Sequence, residues 1–215
     1  MDLKIDTGEL RFFGKAIAMN FKKAMDSSIE FYNRLFQLTP DESKGVHLEI
    51  AKDMEKRGRY EGAVNAYKKI LSDEPNNIQA LFGIGKAYIN MGLMNEAKEA
   101  LQKLVILDDT IAEAYFLLGS AHFSANENDE ALKEFKRAVK LNPGYAEAYY
   151  KTGLIYDSRA DYDGAIEAYL KTISLKPDFI KAYQSIGFAY EAKGMRDEAV
   201  KYFKKSIEMD EKIKT

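Results

Sequence analysis

An all-α array of stacked helix-turn-helix repeats is the fold this sequence predicts, on three counts. Glycines at 85, 119, 153 and 187 fall on an unbroken spacing of 34 residues. Alanines at 63, 97, 131, 165 and 199 keep the same step, and prolines at 75, 143 and 177 stand 68 and 34 residues apart. Residue types locked to one period mark a repeat whose units bury a shared face against their neighbours. The composition agrees: of 215 residues 46% are apolar and 31% charged, with only four prolines. The 32 Lys+Arg against 34 Asp+Glu leave a net charge of −2, too balanced for a protein whose main partner is nucleic acid. Without cysteine there is no disulfide, thiolate nucleophile or sulfur-ligated metal, which fits a reducing compartment. No apolar run approaches the roughly 18–20 residues of a membrane span. The first residues carry Asp2, Asp6 and Glu9 where a secretory signal carries positive charge. A soluble, cytoplasmic protein is expected.

Pro40 precedes Pro75 by 35 residues, one more than the period, so residues 1–40 can be tested for the same register. Aligned without a gap, residues 27–40 (SSIEFYNRLFQLTP) and 164–177 (GAIEAYLKTISLKP) share Ile29, Glu30, Tyr32, Leu38 and Pro40. Where a turn is required stand Lys23, Ala24 and Met25, with no glycine, so the segment reads either as a degenerate repeat or as one continuous helix. It is also unusually apolar, with Phe12, Phe13, Phe21, Phe31, Tyr32 and Phe36 close to covering a helix all round. An end cap for the array accounts for one face. The other is a candidate self-assembly surface. Thr39 and Glu42, with Pro40 between them, form a capping box that starts the regular array at 41–215.

With residue 44 as position one, five units follow: 44–77, 78–111, 112–145, 146–179 and 180–213. Position four holds His47, Leu81, Tyr115, Tyr149 and Tyr183, and position eleven holds Met54, Tyr88, His122, Tyr156 and Tyr190. Position twenty-four holds Tyr67, Leu101, Phe135, Tyr169 and Phe203. A small residue stands at position eight (Ala51, Gly85, Gly119, Gly153, Gly187) and alanine at position twenty. Small against large at offsets of three and four lets two helices approach along one stripe. Gly58, Gly92, Asn126 and Gly194 supply turns between the paired helices, and Pro75, Pro143 and Pro177 stop the second helix.

These positions resemble the tetratricopeptide repeat (TPR) from residue 44 to about 213. The departures are the missing tryptophan at position four, Ile70 and Leu104 where the family prefers alanine, and units two and five without proline. The resemblance implies a right-handed superhelical solenoid with no catalytic activity, whose first helices line a groove through positions two, five, nine and twelve. Carried over, it makes Leu48, Lys52, Phe82, Lys86, Ile89, Phe116, Phe123, Tyr150, Leu154 and Phe188 the candidate protein-binding groove. Some members hold a C-terminal carboxylate with a lysine–asparagine, asparagine, lysine–arginine clamp, but Leu48, Lys52, Gly83, Glu113 and Leu117 do not supply it, nor do the next two frames. The layout also resembles magnetosome-associated members of the family, through Phe12–Phe13–Gly14, the run RGRYEGA at 57–63 and residues 198–210. That implies a homo-oligomeric coat on the cytoplasmic face of the magnetosome membrane, held peripherally by protein contacts, with the N-terminal unit docked in a neighbour's groove. A TPR adaptor for pilus or secretion assembly, or a regulatory subunit of an enzyme, is the alternative.

Chemistry is hard to place on the sequence. Gly83, Gly85 and Lys86 lack the earlier glycine and following Ser/Thr of a phosphate loop, and Gly85 is a packing position. Asp161, Asp163 and Gly164 suggest a calcium loop, but Arg159 and Leu170 occupy its first and last ligand positions. His47 and His122 fall on core positions, and acidic residues are expected on solvated faces beside a base, as with Glu134 and Arg137. No catalytic residue, metal or cofactor is expected, and the partner is a protein or peptide, the chain itself included.

Overall fold

The computed structural model describes residues 39–214, and among these it contains ten α-helices and no strand. The odd-numbered helices are α1 (Pro40–Lys56), α3 (Ile78–Asn90), α5 (Ala112–Ser124), α7 (Ala146–Ser158) and α9 (Ile180–Ala192). Each is followed by its even-numbered partner: α2 (Tyr60–Asp73), α4 (Met94–Leu107), α6 (Asn128–Leu141), α8 (Tyr162–Leu175) and α10 (Arg196–Lys214). The chain divides into two compact units, Met1–Glu49 and Ile50–Thr215, with the boundary inside α1.

In the first unit the described part is the start of α1, and its cap is the one expected. The Thr39 amide donates to Glu42 Oε2 at 2.7 Å, and the Glu42 amide donates to Thr39 Oγ1 at 3.3 Å. Two amide donors that a helix start leaves unmet are thereby satisfied reciprocally. Accepting from the Thr39 amide, and from its hydroxyl at 2.9 Å, holds the Glu42 carboxyl below its usual range.

In the second unit the helices pack as antiparallel pairs. Every turn from an odd helix to its partner closes the same way. The amide of Arg59, Leu93, Glu127, Asp161 or Met195 reaches back to the carbonyl five residues earlier at 2.8–3.0 Å. The residue before it takes a left-handed conformation in each case. Glycine fills that place at 58, 92 and 194, Asn126 does so with φ 60°, and Ala160 with φ 58°. The even helices of the first four units end two residues before the position of the periodic proline, whereas α10 runs on to Lys214. In unit two, which lacks the proline, Asp108 closes the end instead, accepting from the Thr110 amide at 3.0 Å and its hydroxyl at 2.6 Å.

The pairing rests on the periodic small and large residues. A methyl group added to Gly85 would come within 2.7 Å of the Leu101 side chain. The same addition at Gly119 meets Phe135 at 2.8 Å, at Gly153 meets Tyr169 at 2.4 Å, and at Gly187 meets Phe203 at 2.5 Å. So the position-eight glycine seats the position-twenty-four side chain of its own unit. The alanines of position twenty are buried beside this contact. In unit one, Ala51 holds the small position, and the Tyr67 ring reaches forward onto Gly83 of unit two. Leu101, Phe135 and Tyr169 are wholly buried; the first two share a core with Leu104, Leu118 and Ile155, and Tyr169 belongs to a second cluster with Ile166 and Ile186.

Polar bonds cross the seams between units. Arg159 reaches Asp129 at 2.8 Å, Lys193 reaches Asp163, and Lys98 holds Glu127 at 2.7 Å. Arg137 does not form an ion pair with Glu134, as the sequence suggested. It bonds Asp109 of the preceding unit at 2.8 Å. Glu134 is buried, and desolvation raises its carboxyl above the ordinary range.

Candidate protein-binding groove

The groove positions lie on the odd helices, on the stripe flanking the glycine seam. Phe82 on α3 is half-buried against the core, with the Lys86 ammonium 5.4 Å from its ring centre. Phe116 on α5 packs at 5.8 Å on Phe135 and at 4.7 Å on Tyr145. One turn of the repeat later, Tyr150 copies that arrangement, at 5.5 Å from Tyr169 and 4.8 Å from Phe179. Its hydroxyl lies 3.5 Å from Ser185 Oγ. Offset aromatic contacts at these distances add roughly 0.5–1.5 kcal/mol each beyond area burial. Phe116 and Tyr150 are thus each half-buried between two other rings.

Ile89, Phe123 and Leu154 are likewise half-buried against the core clusters. Phe188 differs: it is 60% exposed, edge-on to Phe203 at 5.1 Å. Lys52 is exposed on α1. Leu48 is half-buried on α1 in the first unit. The self-assembly residues Phe12, Phe13, Phe21, Phe31, Tyr32 and Phe36 lie outside the described residues.

Charges the sequence reading passed over shape the same face. Glu55, at position twelve of unit one, is half-buried with its Oε1 lacking a hydrogen-bond partner. Desolvation raises its carboxyl above the usual range, and the Lys86 charge opposes that shift. Lys86 also stands 4.0 Å from Glu113, while Lys151 lies 5.1 Å over the Phe123 ring. Lysine at position six breaks no packing rule, so periodicity could not single it out.

The other candidate chemistries dissolve into structure. Gly83 and Gly85 are close-packing glycines. Asp161 caps α8 by accepting from the Gly164 amide at 3.1 Å. Position eleven puts His122 at a seam, where its Nδ1 lies 2.6 Å from Glu127 Oε2, the carboxylate that also binds Lys98. Among the described residues no cluster of three or more His, Asp or Glu side chains could hold a metal, and no helix is long and apolar enough to cross a membrane.

Paired helices on a 34-residue step, seated glycine to aromatic, define a tetratricopeptide-repeat solenoid. Residues 37–178 match the family model described as the C-terminal ARM domain of tetratricopeptide repeat protein 21, and residues 180–213 match a tetratricopeptide-repeat model. The chain belongs to the tetratricopeptide-repeat family. Within it, the chain is similar to MamA. One MamA crystal structure is 54% identical, with a TM-score of 0.73, over 79% of this chain and 92% of that one. A second is 56% identical, also at 0.73, over 76% and 95%. MamA from Desulfovibrio magneticus RS-1, residues 41 to the end, is 27% identical at a TM-score of 0.74, over 79% and 96%. The fold of YrrB, a TPR protein described with an unusual peptide-binding site, is also alike, at 23% identity and a TM-score of 0.66 over 76% of this chain and 84% of that one.

Proposed function

We propose that this protein is a non-catalytic scaffold that assembles with itself, forming a coat on the cytoplasmic face of the magnetosome membrane. The inner face of α3, α5, α7 and α9 is the docking groove. The N-terminal segment, residues 1–40, is the element that enters a neighbour's groove, presenting Phe12, Phe13, Phe21, Phe31, Tyr32 and Phe36. One observation carries the reading: a run of half-open aromatic side chains from Phe82 to Phe188, ending in a phenylalanine that is 60% exposed. Apolar surface of this extent on one face is a place where another chain binds. The likeness to MamA supports the coat and its location. Head-to-groove docking is heterologous, so it propagates into rings or open assemblies and does not stop at a dimer.

Sedimentation of the full chain beside a form beginning at residue 41 tests this. The full chain should form large homo-oligomers, while the shortened form stays helical and small. Full-size assemblies from the shortened form would refute the docking role of the N-terminal segment. Assembly that appears only with a second protein would favour the adaptor reading.

A further inference from the structure

Two lysines on the odd helices each lie over a phenylalanine ring and differ in their charged surroundings. Lys86, over Phe82, has Glu113 at 4.0 Å, and the half-buried Glu55 adds a second negative charge nearby. Lys151, over Phe123, is also half-buried, yet among the described residues no carboxylate lies within ion-pair distance of it. The charge that acts on it is a second cation, Lys181, at position two of the last unit, where none of the ion pairs among the described residues reaches it either. Burial and that repulsion together hold the Lys151 ammonium below its ordinary pKa. Withdrawing a cation from water beside another cation is unfavourable unless an anion answers it. Phe123 lies under Lys151, and the same two helices carry Leu154, three residues after Lys151, and the exposed Phe188, seven after Lys181. This is an apolar bed with a positive spot, not the five-residue clamp that the chain lacks.

The geometry points to an acidic side chain of a docked segment as the partner of Lys151 and Lys181, and to residues 1–10 of a second copy of this chain as that segment. The inference rests on the self-assembling scaffold reading and gives its groove a charge rule. Charge complementarity selects the segment. MDLKIDTGEL carries Asp2, Asp6 and Glu9 against Lys4 alone, with Leu3, Ile5 and Leu10 as apolar contacts. Residues 11–38 have the opposite sign, with Arg11, Lys15, Lys22, Lys23 and Arg34 against Asp26 and Glu30. Placed on the lysine pair they would be repelled. Even as one helix, the 28 residues 11–38 would span about 42 Å at about 1.5 Å per residue.

The test is the concentration dependence of assembly in full-length variants, followed by sedimentation with the helical signal as a fold control. Lys151→Gln with Lys181→Gln should weaken association about tenfold or more, as loss of a charge-assisted bond does. Lys151→Arg should retain it. Asp2→Asn, Asp6→Asn and Glu9→Gln together should weaken it equally, and combining the two sets should add nothing further. Exchanging the signs, lysine at 2, 6 and 9 with glutamate at 151 and 181, should restore assembly. Wild-type association in either set, or losses that simply add, would overturn the charge rule. If Phe123→Ala with Phe188→Ala abolishes assembly while the lysine variants do not, the scaffold reading stands and this inference alone falls. A monomeric wild-type chain overturns both.

Discussion

The odd-numbered helices present two faces that obey different rules. On the seam side, position eight is small in all five units and position twenty is alanine in all five. On the inner side, position nine runs Lys52, Lys86, Ser120, Leu154 and Phe188, two cations, a hydroxyl and two apolar groups from equivalent places. The seam repeats because each glycine accepts one large side chain at van der Waals contact, and an added methyl would lie within 3 Å of its atoms. The inner side meets no such constraint. The lesson is that a strict period reports packing, and a place where the period lapses without loss of fold is free to carry recognition.

The largest effect that can break this comparison is expected at Phe135. It is wholly buried, seated on Gly119 and touched by Phe116. Phe135→Ala should lower stability by roughly 3–5 kcal/mol, the usual loss for a buried aromatic. Urea unfolding followed by circular dichroism gives the value. A loss below about 1 kcal/mol would mean that the seam does not carry the fold.

Ala165 should show the same rule from the opposite direction. It is fully buried at position twenty, between α7 and α8. Ala165→Leu should overpack and destabilise by roughly 1–3 kcal/mol. An unchanged urea midpoint would place the close approach of the two helices elsewhere.

The legibility of the sequence divides along the same line. The period located the paired helices and the turn glycines, because packing and backbone conformation repeat with the unit, and the local spacing of Thr39 and Glu42 located the capping box. It did not predict Ala160 in a left-handed turn, where the closing hydrogen bond of Asp161 to the Tyr156 carbonyl holds an ordinary residue at φ 58°. Nor did it separate packing from exposure along the aromatic stripe. Phe116 and Phe188 occupy groove positions that read alike in sequence, yet one is gripped by two rings and the other lies 60% open. Charges were the least legible. Whether Arg137 pairs with Glu134 on its own helix or with Asp109 across a seam depends on where the neighbouring unit lands, which no local spacing encodes.

Phe188 sharpens the contrast on the inner face. Because it is mostly exposed, Phe188→Ala should change stability by less than about 0.5 kcal/mol. The same substitution should weaken self-association by more than about 1 kcal/mol, as truncating an aromatic anchor does. Phe116→Ala should move stability first, since its ring is held on both sides. If Phe188→Ala destabilises the fold while leaving association intact, the inner face is packing surface after all.

The smallest expected effect is a pH dependence at the other end of that face. Glu55 is half-buried near Tyr67 and Lys86, and burial lifts its carboxyl above the ordinary 4.5 despite the Lys86 charge. A group whose folded-state pKa is raised binds its proton more tightly when folded. Its contribution is therefore fully favourable below the unfolded value and is lost as pH climbs through the folded one. Glutamine at this position cannot ionise, so it should escape that loss. The urea midpoint of Glu55→Gln, relative to wild type, should rise as pH climbs above the ordinary carboxylate value of about 4.3. Taking the difference cancels the opposite trend from Glu42 and Glu127, whose bonds to Thr39, Lys98 and His122 lower their pKa values. If the difference stays flat, Glu55 is solvated enough to ionise freely. If it falls, the Lys86 charge outweighs burial, and this lysine is already answered by two carboxylates. Because Glu55 remains partly exposed, water screens either outcome, and the drift should stay well below the losses at Phe135 and Ala165.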